Sequence, residues 1–143
     1  MPTVIREQRR ILMLEDDRER LGRFASVLAS RFRDATFDYW RTAPQFIDAY
    51  KQRSRNPHLI ALDHDLFVDN PSDPDPGDGR DVAQFLANQP PCCPVLIHST
   101  NAPAADSMLF TLRDKGWNVG RIAPIGEDWI EADWAIVMLD LIG

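Results

Sequence analysis

Apolar runs of four or five residues alternate along the chain with segments in which apolar side chains recur every three or four positions. The runs have the length and composition of strands, whereas the segments between them have the period of amphipathic helices. Strands are predicted over residues 9–15, 36–40, 58–62, 94–97 and 118–123. Because strands and helices alternate, the pattern indicates βαβ units and a mostly parallel sheet that has helices on both faces.

A helix is predicted after each strand. The first helix has one apolar face, formed by Leu21, Phe24, Ala25, Leu28 and Phe32. The second is expected to begin after Thr42, a favourable N-cap residue, with Pro44 in its first turn. Three further helices are predicted over residues 81–88, 103–115 and 129–142.

Residues 66–78 interrupt the alternation and predict an irregular loop. Its prolines and aspartates are Pro71, Pro74, Pro76, Asp69, Asp73, Asp75 and Asp78. An EF-hand calcium loop does not fit, because Gly77 stands where a ligand side chain is needed and Gln84 replaces the bidentate glutamate. We expect this loop to form a lid over a functional site.

The length of 143 residues suits one domain. Five βα units predict a flavodoxin-like, doubly wound α/β sheet with strand order 2-1-3-4-5. Such sheets bind ligands beyond the carboxyl ends of their strands, at the switch point between strands one and three. Three predicted strands lead into polar clusters, which are Glu15-Asp16-Asp17, Asp63-His64-Asp65 and His98-Ser99-Thr100-Asn101. We expect these clusters to converge on one metal-and-phosphate site.

Glu15, Asp16 and Asp63 are the predicted metal ligands. Carboxylates gathered at one edge of a sheet repel one another, and a bound cation relieves that repulsion. Oxygen ligands favour Mg²⁺ or Mn²⁺, which also accept a phosphate oxygen. Acidic residues after a strand can instead cap the next helix, and capping is the favoured interpretation for Asp17.

Two of the three histidines, His64 and His98, are expected at the same end of the sheet as these carboxylates. An unperturbed imidazole can act as an acid or a base near neutral pH, so the pair could exchange protons with a substrate. Each could instead be a structural histidine that orients a carboxylate. His58 begins its strand at the opposite end and is expected at the surface.

Ser99 and Asn101 offer a hydroxyl and an amide that can donate hydrogen bonds to phosphate oxygens. Either residue could instead cap the fourth helix. Cys92 and Cys93 are adjacent, a spacing that fits neither a disulfide framework nor a C-x-x-C metal site. They are expected to be reduced, structural thiols.

Net charge narrows the class of partner. The formal charge of −6 disfavours long nucleic acids, whose binding depends on Lys and Arg. A small phosphate ester still fits if a divalent cation reverses the sign of an acidic pocket. No apolar run approaches the ~20 residues of a membrane span, and residues 1–6 contain no signal core, so a cytoplasmic protein without membrane contact is expected.

Several of these segments resemble response-regulator receiver domains. Residues 11–16 resemble the first receiver strand with its acidic pair, Asp63 matches the phospho-accepting aspartate, and residues 94–99 match the strand that ends in Ser or Thr. Two positions depart from the pattern. Ala123 replaces the lysine before Pro124, and Gly120 stands in place of the switch aromatic.

A narrower resemblance is to the receiver-like domains described as cyclic-phosphate-processing. Their L-D-D-x-R, D-H-D-L, G-x-D-V-A and H-S-x-N motifs are similar to residues 14–18, 63–66, 79–83 and 98–101. The glycine usual shortly after the asparagine is missing from residues 102–106.

This resemblance implies a metal-assisted phosphoesterase that acts on a small cyclic phosphate, such as a nucleoside or ADP-ribose cyclic phosphate. In that role Glu15, Asp16 and Asp63 hold Mg²⁺, and His64 and His98 exchange protons. The phosphate is bound by Ser99, Asn101 and Arg18. One alternative is an atypical receiver that signals through protein contacts or through phosphorylation of Asp63. Another is a metal-stabilised domain that senses a nucleotide without turnover.

Overall fold

The computed structural model describes residues 8–143. Within them, five parallel strands form one sheet in the order β2-β1-β3-β4-β5, which confirms the predicted topology. The strands are β1 (Arg10–Leu14), β2 (Thr36–Trp40), β3 (Leu59–Leu62), β4 (Val95–His98) and β5 (Val119–Ile122). The expected lack of a signal core concerns residues 1–6, which lie outside the described residues.

Five α-helices connect and follow the strands. They are α1 (Arg18–Arg31), α2 (Ala43–Gln52), α3 (Gly79–Ala87), α4 (Ala102–Asp114) and α5 (Ala135–Ile142). The last predicted helix differs from the expectation, because its first part, Ile130–Trp134, is a π-helical turn. Helix α3 begins two residues earlier than predicted, since Asp78 and Asp81 form a capping box around its first turn.

Hydrophobic residues lie on both faces of the sheet, as alternation along each strand requires. Leu12 and Leu14 face one layer with α2, α3 and α4, whereas Ile11 and Met13 face the other with α1 and α5. All four residues of β3 are buried, as expected for a central strand covered on both sides. The apolar face of α1 is completed by Val27, and the predicted Ala25 is exposed.

The segment 66–78 contains no helix or strand, as predicted. His58, expected at the surface, is half-buried, and its Nδ1 accepts a hydrogen bond from the Arg10 N–H at 3.0 Å. Within residues 8–143, the helices are too short or too polar to cross a bilayer.

Candidate functional site

The predicted convergence of polar residues follows from strand register. Leu14 pairs with Leu62, and Leu62 pairs with Ile97. The next residue of each strand is Glu15, Asp63 or His98, so these three side chains lie side by side on the α1/α5 face of the sheet. One ligand atom from each lies within 4.8 Å of the others, and all three side chains are buried.

Glu15 is held by four polar neighbours. Its Oε1 lies 3.0 Å from His98 Nε2 and 3.7 Å from an Arg20 nitrogen. Its Oε2 accepts hydrogen bonds from the Asp16 and Asp17 N–H groups. Burial alone would raise the pKa of Glu15, but the hydrogen bond and charge of His98, with the Asp17 N–H and Arg20, bring that pKa to about 2. Glu15 is therefore ionised and already fully engaged with protein groups.

The pKa of Asp63 is shifted in the opposite direction to that of Glu15. Burial, followed by the neighbouring charge of Glu15, raises the pKa of Asp63 to about 9, although the His64 N–H donates to its Oδ1 at 2.7 Å. Burial also raises the pKa of Asp16, whose Oδ2 accepts a hydrogen bond from the Phe67 N–H. Burial at this edge therefore favours the neutral forms of both carboxyl groups unless a cation is bound.

A cavity of about 280 Å³ opens over these carboxylates, and we call it the carboxylate cavity. Its lining consists of Asp16, Asp17, Arg20, Asp63, Asp65, Phe67, Ser99, Thr100 and Pro124. Carboxylates, one guanidinium and two hydroxyls thus face a single volume. This donor set combines ligands for a hard divalent cation with hydrogen-bond donors for an anion.

Among the described residues that line the carboxylate cavity, the cation is Arg20, which no motif in the sequence singles out. Its guanidinium carbon lies 5.5 Å from the centre of the Trp129 ring, a cation–π contact that stabilises the Arg20 side chain. Arg18, predicted to bind phosphate, instead forms a bidentate ion pair with Asp69 at 3.0 and 3.1 Å. The two arginines are two residues apart on α1 and therefore point in different directions.

Ser99 and Asn101 have different surroundings. Asn101 is the N-cap of α4, and its Oδ1 accepts a hydrogen bond from the Ala104 N–H. This is the capping alternative left open by the sequence. Ser99 Oγ accepts from the Asn101 N–H at 3.0 Å and lines the carboxylate cavity, so its hydroxyl hydrogen is available to a ligand. Asp17 caps α1, as expected.

Neither His64 nor His98 is among the described residues that line the carboxylate cavity. His98 is fully buried and packs against the rings of Phe24 and Trp129. His64 places Nδ1 at 2.8 Å from Asp65 Oδ1, and Asp65 does line the cavity. Each imidazole therefore contacts a carboxylate: His64 contacts Asp65, and His98 contacts Glu15.

The glycine of the G-x-D-V-A segment, Gly79, is required by the local structure. A Cβ atom at Gly79 would clash with the backbone carbonyl of Asp63 and would lie 2.8 Å from a Met108 methyl carbon. The Gly79 N–H donates to the His64 carbonyl at 3.0 Å. The glycine thus lets α3 begin directly against the end of β3, which fixes the backbone of the candidate site.

The sequence model of the family described as cyclic-phosphate processing Receiver domain matches residues 10–114, well over half of the chain. The chain belongs to this family. The matched residues include every member of the predicted metal, phosphate and histidine set. Curated protein sequences yield no match.

Receiver domains of known structure share the fold of this family member. A phosphorylated cyanobacterial phytochrome response regulator, RcpA, is similar over 95% of this chain and 94% of its own, with 20% identity and a TM-score of 0.69. The response regulator domain of Thermotoga maritima CheB is similar over 95% and 94%, with 14% identity and a TM-score of 0.67. Identities at this level support the shared fold alone.

Proposed function

We propose that this protein is a divalent-metal-dependent phosphoesterase that opens or hydrolyses a small cyclic phosphate in the carboxylate cavity. One observation carries the proposal: the carboxyl groups of Asp16 and Asp63 share one cavity with the Arg20 guanidinium and the Ser99 hydroxyl. The family description points to the same class of substrate.

The residues of the cavity fit Mg²⁺ or Mn²⁺. Asp16 and Asp63 are cavity-lining oxygen donors, and burial, with a smaller effect of the charge on Glu15, raises the pKa of both. Glu15, the third predicted ligand, already interacts with His98, Arg20 and two backbone N–H groups. We therefore assign Asp16 and Asp63 as direct ligands, with Glu15 holding them in place. When bound, the metal would neutralise phosphate charge and lower the pKa of a coordinated water.

The protein groups would then bind and orient the phosphate. Arg20 supplies a permanent positive charge opposite Asp63, and the Ser99 and Thr100 hydroxyls can donate to non-bridging oxygens. Water adds to phosphorus, and one ring P–O bond breaks. The proton lost by the water goes to the released alkoxide, which gives a phosphate monoester and a free hydroxyl.

Proton transfer at the cavity is assigned to Asp65 supported by His64. Asp65 lines the cavity, and the 2.8 Å contact with His64 Nδ1 orients its carboxylate. His98 acts on Glu15, whose Oε2 holds the backbone of Asp16 and Asp17. Direct contact of the two imidazoles with substrate, as the sequence predicts, stays a prediction.

A second candidate function is phosphorylation of Asp63 in signalling. It is favoured by the presence of Asp63, Ser99 and a cation in one cavity, within a fold shared with receiver domains. In this case Arg20 would take the place of the missing lysine. The two functions differ in product: hydrolysis consumes a cyclic phosphate, whereas signalling leaves a phosphoryl group on Asp63.

The test is a panel of 2′,3′-cyclic nucleotides, 3′,5′-cyclic nucleotides and ADP-ribose cyclic phosphate, incubated with Mg²⁺ or Mn²⁺ and followed by ³¹P NMR. We expect conversion of at least one compound to a monoester, with loss of activity in Asp63→Asn. An exposed aspartate far from the cavity, Asp48→Asn, is the control. If no compound is turned over with either metal, the phosphoesterase proposal fails.

A further inference from the structure

Phe67 is an exposed aromatic residue whose main chain is tied to the candidate metal site. It is 72% exposed, so its ring is available for contact with a ligand. Its N–H donates to Asp16 Oδ2 at 2.9 Å. The main chain of Phe67 is therefore held beside the carboxylate cavity, and its ring belongs to neither hydrophobic layer.

Phe67 borders two cavities. On one side is the carboxylate cavity, and on the other is a cavity of about 450 Å³ between the 66–78 loop and the start of α2, which we call the loop cavity. Its volume falls within the range of small-molecule sites, about 300–1,000 Å³. Phe67 is the one described residue that lines both cavities. A ligand with its phosphate over Asp63 can therefore extend past this ring.

The charges of the loop cavity disfavour a second phosphate group. Arg41 is the only cation among the described residues of its lining, and its guanidinium is already bonded to Asp69 at 2.9 and 3.1 Å and to the Asp16 carbonyl at 3.0 Å. Asp73 and Asp75 add negative charge to the same lining. Carboxylates of this kind accept hydrogen bonds from hydroxyl and amino groups. The loop cavity therefore suits an uncharged, hydrogen-bonding group with an aromatic face.

We propose that the Phe67 ring and the loop cavity form a nucleobase subsite, so that the substrate class is a nucleoside cyclic monophosphate. The inference rests on the proposed phosphoesterase function and specifies its substrate. The base stacks on Phe67, since every nucleobase offers a π-face to an aromatic side chain. Asp73, Asp75 and Gln45 lie in the lining that would receive its amino groups and the ribose hydroxyls. ADP-ribose cyclic phosphate, which carries a pyrophosphate, is disfavoured by the charge of the loop cavity.

The test compares a ligand that has a base with one that lacks it. In calorimetric titrations with Mn²⁺ present, we expect 2′,3′-cyclic AMP to bind about tenfold more tightly than a methyl riboside 2,3-cyclic phosphate. Phe67→Ala should remove this difference, and Phe67→Trp should retain it. Neither variant should alter the Mn²⁺ affinity, because the bond to Asp16 comes from the backbone N–H.

Phe110→Ala is the matched control, since Phe110 is a similarly exposed phenylalanine, 66%, on α4. Equal binding of the two ligands, or no effect of Phe67→Ala, would overturn the subsite while leaving the phosphoesterase proposal intact. If metal binds but neither cyclic phosphate does, the nucleobase subsite is wrong, and the turnover panel decides the phosphoesterase proposal separately. Tighter binding of ADP-ribose cyclic phosphate than of 2′,3′-cyclic AMP would also overturn the assigned substrate class.

Discussion

His98 Nε2 lies 3.0 Å from Glu15 Oε1, and both side chains are fully buried. The contact joins the end of β4 to the end of β1 across β3. The lowered pKa of Glu15 means that this carboxylate is ionised inside the protein, and His98 makes the largest favourable contribution to that shift. His98 thus fixes the side chain of Glu15, which in turn accepts hydrogen bonds from the Asp16 and Asp17 N–H groups.

His98→Ala should lower the free energy of unfolding by about 3–5 kcal/mol, because it leaves a buried carboxylate without its main partner. Urea denaturation at pH 7 measures this loss. His58→Ala, at the other end of the sheet, is the control and should cost much less, since His58 contributes a hydrogen bond to a neutral backbone N–H. Equal losses in the two variants would mean that the Glu15 contact contributes little.

Asp63 should make the metal-free protein less stable as pH rises. Its folded pKa of about 9 exceeds the ordinary value of 3.8, so the neutral form is favoured in the folded state. The resulting stabilisation is complete below pH 3.8 and is lost progressively as pH rises to 9. In EDTA, Asp63→Asn should flatten this slope and raise Tm at pH 8 by several degrees, at about 4 °C per kcal/mol.

The control for this experiment is addition of Mg²⁺. A cation beside ionised Asp63 should restore stability to the wild-type protein at pH 8, and should have a smaller effect on Asp63→Asn. If Tm in EDTA is independent of the residue at position 63 between pH 5 and 9, the pKa of Asp63 is not raised in the folded protein and this prediction is wrong.

Calorimetric titration with Mg²⁺ or Mn²⁺ should detect one binding site. Both Asp16→Asn and Asp63→Asn should weaken it, because each removes a charged oxygen donor of the carboxylate cavity. Asp48→Asn, an exposed change on α2, should leave the affinity unchanged. Unaltered affinity in both cavity variants would place the ion elsewhere.

Strand order and the convergence of three polar clusters could be predicted, because both depend on periodicity and on the common direction of parallel strands. Glu15, Asp63 and His98 meet since each follows a buried strand in matching register. The direction in which each side chain points could not be predicted from the sequence to the same extent. Whether Arg18 or Arg20 enters the cavity depends on the α1 rotation and on Asp69, a partner 51 residues away in an irregular loop.

The histidines illustrate the same limit. His98 is level with Asp63 and His64 comes one residue later, so alternation predicts that the two imidazoles face opposite sides of the sheet. Their carboxylate partners could not be assigned without coordinates. The π-helical turn at Ile130–Trp134 also has no sequence signature here, because an apolar stripe fits either helix type. The sequence gives no signal for Phe67, because a single aromatic residue in a proline-rich loop is part of no periodic pattern.

Arg20→Ala should reduce affinity for a cyclic phosphate about tenfold or more, because it removes the charge-assisted donor of the carboxylate cavity. Arg18→Ala is a matched control on the same helix, and it should have little effect because Arg18 is bonded to Asp69. Titration of both variants with 2′,3′-cyclic AMP and Mn²⁺ provides the comparison. A larger loss in Arg18→Ala would restore the assignment made from the sequence.

Treatment with beryllofluoride and Mg²⁺ should produce no receiver-like rearrangement of α4 and β5. Ala123 has no ammonium that could follow a group on Asp63, and Gly120, within β5, has no ring that could reorient. Arg20 approaches the cavity from α1, so any response to the adduct should stay on that side of the sheet. Backbone NMR shifts measure the response, with Asp63→Asn as the control that cannot form the adduct. Large, stoichiometric shifts across α4 and β5 in the wild-type protein would contradict this prediction and favour the signalling function over hydrolysis.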